Sequence, residues 1–225
     1  MDLAPFLELL YSARDRSRTV HATIHRRSHP ARELELLRAR GLYRDPPAIP
    51  KEEGAVGGPP PTIVETTTQL WAARPDRLRW ETVVRGYSPD ELASVVVKEG
   101  EVFWERSGDG DMHTNENREQ RRTMTTDSER LVDPSPLLGV YRFELGPPTT
   151  WQGRRAVEVT ASRRSGSHPN EFGPLGDHLA LVVDEERGVL LRAAVVVEVE
   201  ELSNTEIAQI AFDEPLQAEL FRPLR

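Results

Sequence analysis

The chain has no cysteine, and of its 29 basic residues only Lys51 and Lys98 are lysines. The first absence removes disulfides, thiol nucleophiles and thiolate metal sites together. The second leaves a surface built on arginine, whose planar fork suits carboxylate and phosphate partners. No apolar run approaches the length of a membrane-spanning helix, so no integral membrane segment is expected. Met1-Asp2-Leu3-Ala4-Pro5 lacks the basic start and apolar stretch of a secretory leader, which gives the expectation of a cytoplasmic protein. A Gly-x-Ser-x-Gly elbow and a Gly-x-x-x-x-Gly-Lys phosphate loop are both missing, which removes the commonest routes to hydrolase and nucleotide chemistry. The formal charge of −8 argues against a nucleic acid partner, which calls for a basic face.

What remains is 225 residues, 37% of them hydrophobic, enough to bury a core. Asp2 precedes a helical pattern through Leu3, Phe6, Leu7, Leu9 and Leu10, with Pro5 tolerated in the first turn. From Thr19 to Arg26 the pattern changes to strict alternation, with Val20, Ala22 and Ile24 on one face and His21 and His25 on the other, the mark of a half-buried strand. Residues 31–40 read either as a brief helix or as part of a long hairpin. The Pro- and Gly-rich stretch 46–61 reads as an inserted loop.

Beyond it, strand signals recur in pairs. Residues 63–73 and 78–84 flank the turn Arg74-Pro75-Asp76-Arg77, and 94–97 and 102–105 flank Lys98-Glu99-Gly100-Glu101. Gly100 is where a positive φ costs least. Residues 106–133 are polar and threonine-rich and read as a loop or lid. Strands return at 141–145, 155–160, 179–183, 189–200 and 204–212, the turn Asp184-Glu185-Glu186-Arg187-Gly188 joining two of them. Roughly eight to ten strands joined by hairpins predict antiparallel pairing, since parallel pairing needs long crossovers. The fold class is therefore mainly β (α+β): a curved antiparallel sheet forming an unclosed barrel packed against short helices. One domain is expected over 1–225, with inserted loops near 31–61 and 106–133.

Several segments carry a resemblance to a known superfamily. They are Arg74-Pro75-Asp76-Arg77-Leu78-Arg79-Trp80-Glu81, residues 96–104, Trp151-Gln152-Gly153-Arg154-Arg155 and the strand that follows, residues 181–192, and Phe212-Asp213-Glu214-Pro215-Leu216 with Phe221-Arg222-Pro223. In order and spacing the chain resembles the LolA-like superfamily, which includes the periplasmic outer-membrane lipoprotein carriers and related sigma-factor regulatory proteins. The resemblance covers about residues 70–105 and 137–225, with Thr19 to Arg27 as a first strand. It implies an unclosed barrel wrapped around helices, whose apolar interior in the carriers accepts acyl chains. The chain departs from the secreted members in lacking a signal peptide and a lipid-attachment cysteine.

Candidate sites follow from both readings. Trp71, Trp80, Trp104 and Trp151 are candidates for a ligand wall, with core packing the competing role for each. Phe143, Leu181, Val183, Leu191 and Val195 are candidates to line the same interior, although alternation alone does not say which face of a sheet is concave. Arg118, Arg121 and Arg122, in the polar loop, are candidates to meet an anionic headgroup. His21, His25 and His29 would form one stripe on a helix, but on a strand residues four apart stand about 13 Å apart, too far to share a zinc. His113, His168 and His178 have no ligand spacing. Asp109, Asp111, Asn115 and Glu116 lack the order of a calcium loop. Asp184-Glu185-Glu186 and the acidic run at 198–201 read as turn and strand-end charges. No cofactor and no metal are expected, and no catalysis. The function expected is binding of a hydrophobic small molecule or lipid in the concave cavity, or else of a protein segment in the groove or at a sheet edge.

Overall fold

The computed structural model describes residues 1–41, 60–86, 92–100, 102–107, 112–115, 127–165 and 176–222. Eleven strands lie in one sheet: β1 (Thr19–Ser28), β2 (Val64–Ala73), β3 (Arg77–Arg85), β4 (Leu92–Glu99), β5 (Val102–Ser107), β6 (Met112–Asn115), β7 (Tyr141–Trp151), β8 (Arg154–Arg163), β9 (His178–Asp184), β10 (Leu190–Val197) and β11 (Glu200–Phe212). Their order is β6-β5-β4-β3-β2-β1-β11-β10-β9-β8-β7, and every neighbour is antiparallel. The sheet is thus two hairpin meanders zipped along the first and last strands, Val20 opposite Phe212 and Ser28 opposite Ser203. It remains open between β6 and β7.

Turn chemistry makes the hairpins. Gln152 and Gly153 both have positive φ (49° and 81°), the backbone of a two-residue turn matched to strand twist. Gly100 has the predicted positive φ, 58°. Gly188, at φ +73°, is needed for a second reason: a Cβ there would stand 2.5 Å from the Leu9 carbonyl oxygen, so only glycine lets the first helix settle on the β9–β10 turn.

The helices among the described residues are α1 (Leu3–Ser12), α2 (Pro30–Ala39), α3 (Asp127–Val132) and α4 (Leu137–Val140), with 3-10 turns at Ala13–Arg16 and Ala218–Phe221. Residues 31–40 are therefore helix rather than hairpin. The stretch 106–133, read as loop, contains β6 and α3. Asp2 stands at the N-cap of α1, but its carbonyl rather than its side chain serves the helix, accepting the Phe6 N–H at 3.1 Å.

Topology explains where the helices go. β6 and β7 are opposite edges, and of the chain between them the described residues 127–140 lie on the inner face. There Leu131, Val132 and Leu137 join Phe6 and Leu10 of α1 against Val20, Ala22, Ile24, Leu70, Trp80, Val159, Leu181 and Ile207 in one apolar core. Phe6 meets Phe143 edge to face, with ring centroids 5.8 Å apart. The centre of the half-barrel is filled by the protein's own helices.

The outer face is covered in two places. Ala156, Val182, Val189 and Leu191 form a second cluster with Trp151, while the 3-10 turn Ala218–Phe221 lies over β3 and β4. Arg79 Nη1 donates to the Leu220 carbonyl at 3.1 Å, and the Arg77 guanidinium sits 5.3 Å from the Phe221 ring. β7 is the longer open edge, and Gly146-Pro147-Pro148 with a register shift between Leu145 and Pro148 interrupts it. Proline has no N–H to offer a further strand, so this edge is blunted against pairing.

Candidate functional site

Cross-strand partners share a face of a sheet, so the register tells what each row presents inward. The rows Val20/Ala72/Leu78 and Ala22/Leu70/Trp80/Val96 are apolar and lie under the helices. One step along, the row becomes Ile24/Thr68/Thr82/Ser94, and after that Arg26/Thr66/Val84. β1 and β2 change from aliphatic to hydroxyl or charged residues toward the same end, β11 does so from Ile207 to Thr205, and β3 places Thr82 between Trp80 and Val84. At that end the described helices do not fill the hollow.

The result is a cleft of about 380 Å³, within the range of small-molecule sites. Its floor is Ile24, Thr66, Thr68, Trp80, Thr82 and Thr205; its rim is closed by Pro30 and Glu33 of α2 and by Asp127 and Ser128 of α3. The Thr68 and Thr82 hydroxyls are hydrogen-bonded to each other at 3.2 Å, which satisfies a polar pair in a floor where Thr68 is buried. Arg26 Nη1 donates to Asp127 Oδ2 at 2.6 Å, tying β1 to α3 across the opening. Asp127 also lies 3.6 Å from Arg130. The surface is amphipathic: one indole, aliphatic carbons and threonine methyls, interleaved with hydroxyls.

The wall contributed by α2 is lightly held. Leu36 and Leu37 rest on Val197 and Leu202, and exposed ion pairs join Arg32 to Glu200 at 3.2 Å and Arg40 to Asp177 at 3.0 Å. Asp177 also accepts the Glu198 N–H at 2.7 Å, and this bond, aided by Arg40, holds its carboxyl below the ordinary aspartate value.

The sequence-derived candidates divide by face. Trp80, Phe143, Leu181, Val183 and Val195 are together in the inner core, and of these Trp80 alone lines the cleft. Leu191 and Trp151 belong to the outer cluster. Trp71 is also on the outer face, stacked on His21 with centroids 5.2 Å apart, in a ladder that continues through Arg79 and Val97 to Trp104. His25, on the same face, has Nδ1 3.3 Å from the Thr67 hydroxyl. Arg118, Arg121 and Arg122 lie outside the described residues, as does His168. Sequence reasoning passed over Arg26, Glu33, Thr66, Thr68, Thr82 and Asp127. The available signal was the placement of hydroxyls at the inward positions of neighbouring strands, which becomes visible once their register is known.

Among the described residues no group of three or more histidine or acidic side chains is disposed to hold a metal ion. No helix among them is long and apolar enough to cross a membrane.

The sequence matches no protein-family model and no curated protein. Solved structures do match. The MucA/MucB complex of Pseudomonas aeruginosa aligns with a TM-score of 0.52 at 15% identity over 99% of this chain and 61% of MucB's. An uncharacterized conserved protein of Thermus thermophilus gives 0.52 at 10% identity over 100% and 96%. The Mycobacterium tuberculosis lipoprotein LppX gives 0.50 at 12% identity over 96% and 99%. The chain therefore spans about three fifths of the MucB chains it matches. These structures overturn the cytoplasmic expectation: the proteins that share the fold include a partner of MucA(peri) and a lipoprotein. An export address is carried by segments that the folded domain does not need, so the domain's residues do not encode its compartment. The chain shares the fold of MucB and LppX, and the LolA-like resemblance legible in the sequence holds at the level of that fold.

Proposed function

We propose that the chain, acting as one LolA-like domain, binds one end of an amphiphilic ligand, an alkyl or lipid-like chain with a polar head, in the threonine-lined cleft, and that it does so without catalysis. The observation that carries this reading is the cleft itself, a half-open hollow at an end of the inner face that the described helices leave unfilled. Its size suits a single chain end or a small amphiphile rather than a whole multi-chain lipid, because the rest of the interior is occupied by Phe6, Leu10, Leu131 and Leu137. Burying apolar surface contributes about 25 cal/mol per Å² before ordering costs, so some 200 Å² of alkyl chain corresponds to roughly 5 kcal/mol gross. The hydroxyls give a polar end hydrogen-bond partners that a dry pocket would lack.

The test uses Trp80 as reporter. With Trp71, Trp104 and Trp151 replaced by phenylalanine, decyl maltoside below its micelle concentration should shift the remaining emission saturably, and Thr82→Phe, which fills the floor, should abolish the shift. A flat titration, together with no lipid retained by the purified protein in native mass spectrometry, would refute the reading.

A second reading is recognition of a protein segment. It is supported by the solved complexes of MucB with MucA. In that case a partner peptide should protect the cleft-lining strands from hydrogen exchange while decyl maltoside does not compete.

A further inference from the structure

We infer that the cleft selects for positive charge in its ligand's polar end, which makes its preferred occupant a cationic amphiphile such as an alkylammonium. The inference rests on the binding reading above and adds the head-group class to it.

The argument is a pairing of charges around the cleft. Arg26, the one cation lining it among the described residues, is paired with Asp127 at 2.6 Å. Arg130 stands 3.6 Å from the same carboxylate, and Lys98 on the inner face of β4 is 3.5 Å from Glu129. Within the lining itself Arg26 is matched by Asp127, whose carboxylate Arg130 shares from outside it. Glu33 is not: it lines the cleft from the first turn of α2, half-buried, and no ion pair or hydrogen bond of its side chain exists among the described residues. The N-terminus of α2 does little to offset it, because its donors are engaged, Ala31 N–H with the Pro61 carbonyl at 3.3 Å and Glu33 N–H with the His29 carbonyl at 2.9 Å. A carboxylate left unmatched in a partly desolvated wall favours an incoming cation and opposes an incoming anion. Trp80 in the same floor is an aromatic of the residue type that attracts alkylammonium groups. Hydroxyls accept hydrogen bonds from an ammonium and are indifferent to a trimethylammonium, so they do not reverse the order.

The experiment compares three probes that share a ten-carbon chain: decyltrimethylammonium, decyl maltoside and decanoate, each below its micelle concentration, read by the Trp80 emission and by isothermal titration. The cation is expected to bind roughly three- to tenfold more tightly than the neutral probe at low salt, and decanoate more weakly by a similar factor, with the spread collapsing at high salt. Glu33→Gln, at a half-exposed position with no side-chain partner among the described residues, should keep the fold and bring the cation down to the neutral probe's level. Failure of the maltoside to bind at all would sink the binding reading itself. Maltoside binding with an equal or weaker affinity for the cation, or a cation preference that survives Glu33→Gln, would overturn the charge inference and leave the binding reading standing.

Discussion

Truncating Leu131 to alanine interrogates the filled interior directly. Leu131 is fully buried in the crossing segment between the two sheet edges, and it lies one turn beyond Asp127 and Ser128 on α3, the two residues through which that helix reaches the cleft. Removing its side chain deletes apolar contacts and leaves a void that rigid strands on one side and α1 on the other can only partly close. Buried leucine-to-alanine changes cost about 3–5 kcal/mol when the site does not collapse. For a chain of this size each kcal/mol moves the melting temperature by about 2–4 °C, so a fall of roughly 6–20 °C is expected. The void also extends the cleft inward, so decyl maltoside should restore more of the melting temperature in the variant than in the parent, by mass action on a tighter site. Leu131→Met, which keeps the volume, should cost less than about 1.5 kcal/mol and gain no added ligand response. The assays are urea unfolding and thermal melts with and without the amphiphile. A loss below about 1 kcal/mol in Leu131→Ala would mean that α3 is not packed into the sheet, and the account of a plugged half-barrel would be wrong.

Two further outcomes follow from single residues. Gly188→Ala forces both a left-handed backbone and a clash with the Leu9 carbonyl, so it should cost more than about 2 kcal/mol in urea unfolding and loosen α1 in hydrogen exchange ahead of the sheet; a near-neutral effect would show that α1 does not dock on that turn. Asp213 accepts the Arg18 N–H at 2.8 Å and pairs with Arg187 at 3.1 Å; the Arg18 bond first, then Arg187, holds its carboxyl below the ordinary aspartate value. A depressed folded value contributes stability that is present above the unfolded value near 3.9 and is lost as pH falls through the folded one. The parent should therefore lose stability on acidification from about pH 4 downward more steeply than Asp213→Asn, and equal slopes in urea unfolding across that range would refute the assignment.

The fold was legible where it depends on short-range chemistry. The hairpins around 74–77, 98–101 and 184–188 announced themselves by turns between alternating segments, and Gly100 and Gly188 have the positive φ such turns require. The β10–β11 turn at Glu198 and Val199, by contrast, was hidden inside what reads as one strand over 189–200, and the β5–β6 pair inside a polar stretch. The pairing of β1 with β11 joins segments almost the whole chain apart, and no local pattern encodes it. The helical crossing was missed for a related reason. α3 and α4 have six and four residues, too few for a helical period to emerge from a polar stretch, and they are helical because they are buried against the sheet.

The proposed cleft was hidden by the criterion used to look for a site. Choosing the largest apolar residues on alternating strands selects whatever best fills space, and in a half-barrel plugged by its own helices those side chains are used up in packing. Phe143, Leu181, Val183 and Val195 illustrate this: each faces inward, and each is covered. A surface that stays open to water beside such a core must carry residues that tolerate water when empty and apolar contact when filled, and threonine does both. The informative pattern is therefore the point along neighbouring strands at which inward residues change from leucine and isoleucine to threonine and arginine, as they do from Leu70 to Thr68 and Thr66 in β2 and from Ile24 to Arg26 in β1. Because register decides whether those changes line up, one strand read alone shows only a weak strand end. Four strands in register show the mouth of a cleft.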